Sequence, residues 1–87
     1  MNKEEARQIL QGELEAFRVK SHAELVKLID AEPIAGERAS PSGKWYQIEI
    51  QVFWDDKPSG DIRVIGSIDV GGLESFVPLT DDFIKGP

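Results

Sequence analysis

His22 is the only imidazole in this chain, and there is no cysteine. These two facts remove most side-chain chemistry. A serine nucleophile needs a base within hydrogen-bond reach, and His22 falls in the first turn of a short helix, directly after its cap, as a partly exposed helix-start residue. It is poorly placed as a base. Without cysteine there is no disulfide, no thiolate zinc site and no cysteine nucleophile. Asp55, Asp56 and Asp61 share one loop, yet their spacing lacks the alternating acids and closing glutamate of a calcium loop, so a solvated turn is expected. Gly66, Gly71 and Gly72 are followed by no Gly-Lys-Ser and open no helix that could hold phosphate. Glu49 and Asp69 can share an outward sheet face, where open water gives neither the raised pKa of a general acid. The expectation is a protein without catalytic residues, metal or cofactor.

Composition narrows the partners. Of the 87 residues, 16 are acidic and 10 are basic, a formal charge of −6, which disfavours attraction to phosphate backbones. Nucleic acid is therefore not an expected partner. With 40% apolar and 30% charged residues the chain has a globular balance, and its length suits one small domain, residues 1–87, with one core. No stretch approaches the roughly 20 apolar residues of a membrane span, and Met1-Asn2-Lys3-Glu4-Glu5 runs directly into charged sequence. A cytoplasmic protein with no membrane partner is expected.

Spacing supplies the elements. Ala6, Ile9, Leu10, Leu14 and Phe17 recur at intervals of three and four, predicting a helix over about 2–19 with one buried stripe. Asn2 would cap it. Gly12 weakens its middle unless another backbone packs close. Ser21-His22-Ala23-Glu24 fits a capping box and predicts a second helix over about 22–30, closed by Pro33. The period then falls to two. Strands are predicted over about 34–39, 44–54, 61–70 and 73–79, separated by Ser40-Pro41-Ser42-Gly43, by the loop 55–60 and by a tight turn at Gly71-Gly72. This is an α+β fold: two N-terminal helices packed on one face of a three- to four-stranded antiparallel meander sheet. The order of elements resembles a shortened cystatin-like or NTF2-like arrangement, which implies a curved sheet wrapped around the first helix and fixes no function.

Register identifies the candidate surfaces. Placing Tyr46, Ile48, Ile50, Val52 and Trp54 against Ile62, Val64, Gly66, Ile68 and Val70 on the inner face sets Val52 opposite Val64 and Ile50 opposite Gly66. Phe53 then lies beside Arg63, and Gln51 beside Ile65, on the outer face. A turn at Gly71-Gly72 would put Phe76 opposite Ser67 and Pro78 opposite Ile65. Phe53, Ile65, Phe76 and Pro78, rimmed by Arg63 and Gln51, would form an apolar interface centre. The competing expectation is that Phe83 and Ile84, or the second helix, cover that patch from within the chain. Trp45 and Trp54 are expected to pack at the edges of the core.

Three functions follow. The leading expectation is a nonenzymatic protein-interaction module, binding a protein partner or self-associating as a homodimer through the outer sheet face. A second is an acidic inhibitor or immunity-type protein steered to a basic partner. A third is a small-ligand or enzymatic pocket inside a curved sheet, with Tyr46, Trp54 and Ser75 at its mouth.

Overall fold

The computed structural model describes residues 3–69 and 79–87. Two helices, α1 (Lys3–Arg18) and α2 (His22–Val26), precede four strands, β1 (Ile34–Ala39), β2 (Trp45–Trp54), β3 (Ile62–Asp69) and β4 (Leu79–Lys85). The strands form one antiparallel meander in the order β1-β2-β3-β4. The expected α+β architecture is the observed one, with both helices against one sheet face.

In α1 the predicted stripe is the buried one. Ala6, Leu10 and Leu14 are enclosed, with Ile9 and Phe17 packed beside them, and the helix lies over β3 and β4. Full burial of a leucine stabilises by about 1.5–3 kcal/mol, so Leu10 and Leu14 anchor the helix. Gly12 faces solvent, and a Cβ built there meets no atom within 4 Å. No backbone approach requires glycine at that position. Gly12→Ala is expected to stabilise the protein by about 0.8–1 kcal/mol, read as a raised midpoint in urea unfolding. Asn2, the expected cap, lies outside the described residues.

The second helix begins as its sequence predicts. Ser21 Oγ accepts the Glu24 amide at 3.1 Å, and Glu24 Oε1 accepts the Ser21 amide at 3.0 Å. The Ser21 amide first, and then the Ser21 hydroxyl, hold the Glu24 carboxyl below its usual range. The box is therefore intact at neutral pH and is lost as pH falls below the ordinary carboxyl range. The helix ends earlier than the expected residue 30. After Val26 the chain tightens into turns, with Leu28 N–H bonded to Leu25 O at 2.9 Å and Ile29 N–H to Val26 O at 3.1 Å. Asp30 then takes a positive φ of 69°, a left-handed conformation that ends these turns three residues before Pro33. Leu25 is buried, and Leu28 and Ile29 pack against the core from this turn.

The central pair matches its expected register residue for residue: Val52 opposes Val64, Ile50 opposes Gly66, Phe53 opposes Arg63 and Gln51 opposes Ile65. Tyr46, Ile48, Ile50, Ile62, Val64 and Ile68 are buried on the inner face. The turn between β1 and β2 closes where predicted. Ser40 N–H bonds Lys44 O at 2.7 Å, and Gly43 takes a φ of 84° that favours glycine.

The last strand departs from expectation. β4 is Leu79–Lys85, and it sets Thr80 opposite Ser67 and Asp82 opposite Ile65, in place of Phe76 and Pro78. The expected turn at Gly71-Gly72 and the expected strand 73–79, apart from Leu79, lie outside the described residues. β4 is an edge strand with one buried side chain, Phe83. Such a strand shows weak alternation, and Gly71-Gly72 offered a stronger turn signal to a reader of the sequence.

Candidate outer-face binding site

Alternation sends every second residue of the meander away from the helices. On the outer face β2 presents Trp45, Gln47, Glu49, Gln51 and Phe53, and β3 presents Arg63, Ile65, Ser67 and Asp69. β4 adds Thr80, Asp82 and Ile84 opposite Ser67, Ile65 and Arg63. β1 adds Ala35 and Glu37 opposite Glu49 and Gln47. The twist of these strands leaves an open concavity of about 440 Å³ bordered by Glu37, Gln47, Glu49, Ser67 and Asp69.

The candidate interface residues divide. Phe53, Arg63, Ile65 and Gln51 lie together on this face as predicted, with Phe53 37% exposed. Phe76 and Pro78 lie outside the described residues, and their expected positions beside Ser67 and Ile65 are taken by Thr80 and Asp82. Ile84, expected as part of a covering tail, instead belongs to the face itself at 47% exposure. Phe83 does not fold over the patch. It points inward opposite Val64, with the Arg18 guanidinium 4.7 Å from its ring centroid.

Between Phe53 and Ile84 stands Arg63. Its Nε donates to Asp55 at 2.7 Å, and its Nη1 bonds Asp82. These carboxylates raise the guanidinium pKa, the hydrogen bond to Asp55 first among the causes. The arrangement divides the apolar pair with an ion cluster of one guanidinium and two carboxylates. It also engages Asp55, one of the three loop aspartates, in an ion pair rather than leaving it solvated. Elsewhere on the face the acids hold glutamines: Gln51 Nε2 donates to Glu49 at 3.1 Å and Gln47 Nε2 to Glu37 at 3.5 Å.

The expected pocket mouth does not assemble. Tyr46 and Trp54 sit at opposite ends of β2, about 26 Å apart at a strand's rise of 3.3 Å per residue. Ser75 lies outside the described residues. Tyr46 is buried beside Arg38 of β1, whose Nε donates to Glu13 of α1 at 2.7 Å. Burial first, then the Glu13 charge, pushes the phenol up from its ordinary value and keeps it neutral. Trp54 packs at the other end, its ring 6.1 Å from that of His22. His22 is more than a helix-start residue, because its Nε2 bonds Gly60 O at 2.8 Å and ties α2 to the 55–61 loop. Trp45, expected at the core edge, is 66% exposed at the far corner of the outer face.

The sequence reading did not place Glu37, Asp82 or Ile84 on this face. Glu37 could have been found by extending the register across β1. Asp82 and Ile84 could not, because their strand gave no readable period. Comparison of the chain with protein families, with curated proteins and with solved structures gives no match.

Proposed function

We propose that this chain is a nonenzymatic interaction module whose outer sheet face receives a basic protein surface. The observation that supports it is the make-up of that face. Among the described residues, Glu37, Glu49, Asp69 and Asp82 share it with a single cation, Arg63, which is already engaged by Asp55 and Asp82. Trp45, Phe53 and Ile84 supply exposed apolar anchors around these acids. Aromatic anchors in a polar surround suit a binding patch, and the acidic field selects a partner of opposite sign. The same charge argues for a partner over a second copy, since two such faces in register would set carboxylate against carboxylate.

Capture of partners from a lysate on immobilised protein tests the reading. Bound protein is expected to be basic and to elute between about 50 and 300 mM salt, as screening shortens the reach of the face. Reversing two charges, Glu37→Lys with Glu49→Lys, is expected to abolish capture while leaving the unfolding free energy within about 0.5 kcal/mol of the parent. Capture that ignores salt, or that survives the reversal, would exclude this function.

A further inference from the structure

Pairing parity along β2 exposes a second feature, away from the outer face. At one end of the strand, Ser40 N–H bonds Lys44 O, which places the even-numbered residues of β2 with their N–H and C=O groups toward β1. At the other end, Asp55 N–H bonds Asp61 O at 2.9 Å, which places the odd-numbered residues toward β3. The two assignments agree. β1 begins at Ile34, opposite Ile50, so Val52 and Trp54 extend past it. Among the described residues no backbone group pairs with the outward N–H and C=O of Val52 or Trp54. β3 continues to pair the opposite side of β2 as far as Trp54, so this end of the strand remains extended with one edge open.

Beside the open edge is a groove of about 220 Å³, lined by Leu28, Ala31, Pro33, Ile34, Ile50 and Val52 among others. Small-molecule pockets run roughly 300–1,000 Å³. A groove of this size suits a side chain carried on a strand. Open backbone groups beside a side-chain groove are the two parts of recognition by strand addition, in which main-chain bonds supply affinity and the groove supplies selectivity. The surrounding charge defines the segment. The stretches 27–34 and 49–54 carry Asp30, Glu32 and Glu49 against Lys27 alone, and Glu32 borders the groove.

We propose that the edge of β2 at Val52 and Trp54 binds an extended segment of a partner protein in which an apolar residue is flanked by lysine or arginine. The segment continues the line of β1, exchanges main-chain hydrogen bonds with Val52 and Trp54, and seats its apolar side chain between Leu28, Pro33 and Val52. A second copy of this chain is the poorer occupant, because it would bring the same carboxylates to the groove. The site stands independently of the outer-face reading.

Amide shifts of the full chain, recorded during titration with a blocked Lys-Val-Lys-Val-Lys peptide, test the proposal. Val52 and Trp54 are expected to shift together, and their amide exchange to slow by about tenfold at saturation. The peptide N-methylated at its valines, the peptide with glutamate for lysine, and the Ala31→Trp variant, whose exposed residue 31 would fill the groove, should each bind about tenfold more weakly. Equal binding by the N-methylated peptide overturns strand addition. Shifts confined to Gln47, Glu49 and Ser67 overturn the edge site while leaving the outer face as a binding surface. Concentration-dependent shifts at Val52 and Trp54 without peptide assign the edge to a second copy, and no shift at all overturns the proposal.

Discussion

Gly66→Val is expected to be the most damaging single substitution in the sheet. A Cβ at residue 66 would lie 2.9 Å from Leu10 Cδ1, 3.0 Å from Ile50 Cδ1 and 3.1 Å from Leu14 Cδ2. Two of those methyls belong to the side chains that anchor α1, so any bulk here lifts the helix from β3. The contacts are ends of flexible side chains, and alanine is expected to displace them at a cost of about 1–3 kcal/mol. Valine adds two methyls in the same space and should cost more. For a domain of this length, total stability is about 4–13 kcal/mol by the general per-residue range. Gly66→Val is therefore expected to leave a fraction of the chain unfolded in native buffer. Urea unfolding of Gly66→Ala, Leu10→Ala and the double variant checks the cause. Leu10→Ala alone should cost about 2–5 kcal/mol. The double variant should cost at least 0.5 kcal/mol less than the two changes added, because each relieves the other. Additivity within about 0.3 kcal/mol would mean that Leu10 does not sit over Gly66.

Lys85→Met is the second large effect, and it acts at the end of a helix that is distant in sequence. Lys85 Nζ donates to the carbonyls of Arg18 at 2.5 Å and Lys20 at 2.7 Å, where α1 runs out of intrahelical partners. The ammonium also meets the negative end of the helix dipole. Methionine keeps the stem and removes the donor, stranding both carbonyls. A hydrogen bond from a charged group contributes about 1.5–3 kcal/mol, and a loss of that order is expected in the unfolding free energy, with the denaturant slope unchanged. Amides in the last turn of α1 should exchange faster than the global loss explains. Lys44→Met, at an exposed turn lysine, should change stability by no more than about 0.5 kcal/mol. Equal effects at 85 and 44 would remove the capping role.

The outer face was partly legible before the fold was known. Phe53, Arg63, Ile65 and Gln51 could be placed because β2 and β3 are long, alternate strictly and share an inner face that tolerates only one register. The fourth strand offered no such constraint. Only Phe83 of β4 is buried, Asp81 and Lys85 fall on its inner rows opposite Gly66 and Ile62, and the alternation that marks a half-buried strand is masked. Ile84 and Asp82 therefore joined the face only when β4 was in place, and the places opposite Ser67 and Ile65 expected for Phe76 and Pro78 went to Thr80 and Asp82 for the same reason. The open edge at Val52 and Trp54 was within reach of the sequence, since strands over 34–39 and 44–54 joined by the 40–43 turn already leave the end of β2 extending past the start of β1.

What the sequence determined by itself was local. The three-and-four stripe of α1, the Ser21-Glu24 box, the turn at Gly43 and the alternation of β2 and β3 each follow from neighbours within a few residues, where propensity, capping and periodicity act without distant partners. The α+β class followed from these elements together, and the absence of thiol chemistry followed from composition. What only the tertiary structure decided is long-range. A glycine in β3 had to receive Leu10 and Leu14, a lysine near the end of the chain had to cap the first helix, and His22 had to reach Gly60. Each joins residues far apart in sequence whose types suit many other partners, so no spacing rule selects them. Packing decides these contacts because burying α1 on β3 and β4 brings the carbonyls at its end to the Lys85 ammonium, and this follows from the shape of the assembled core.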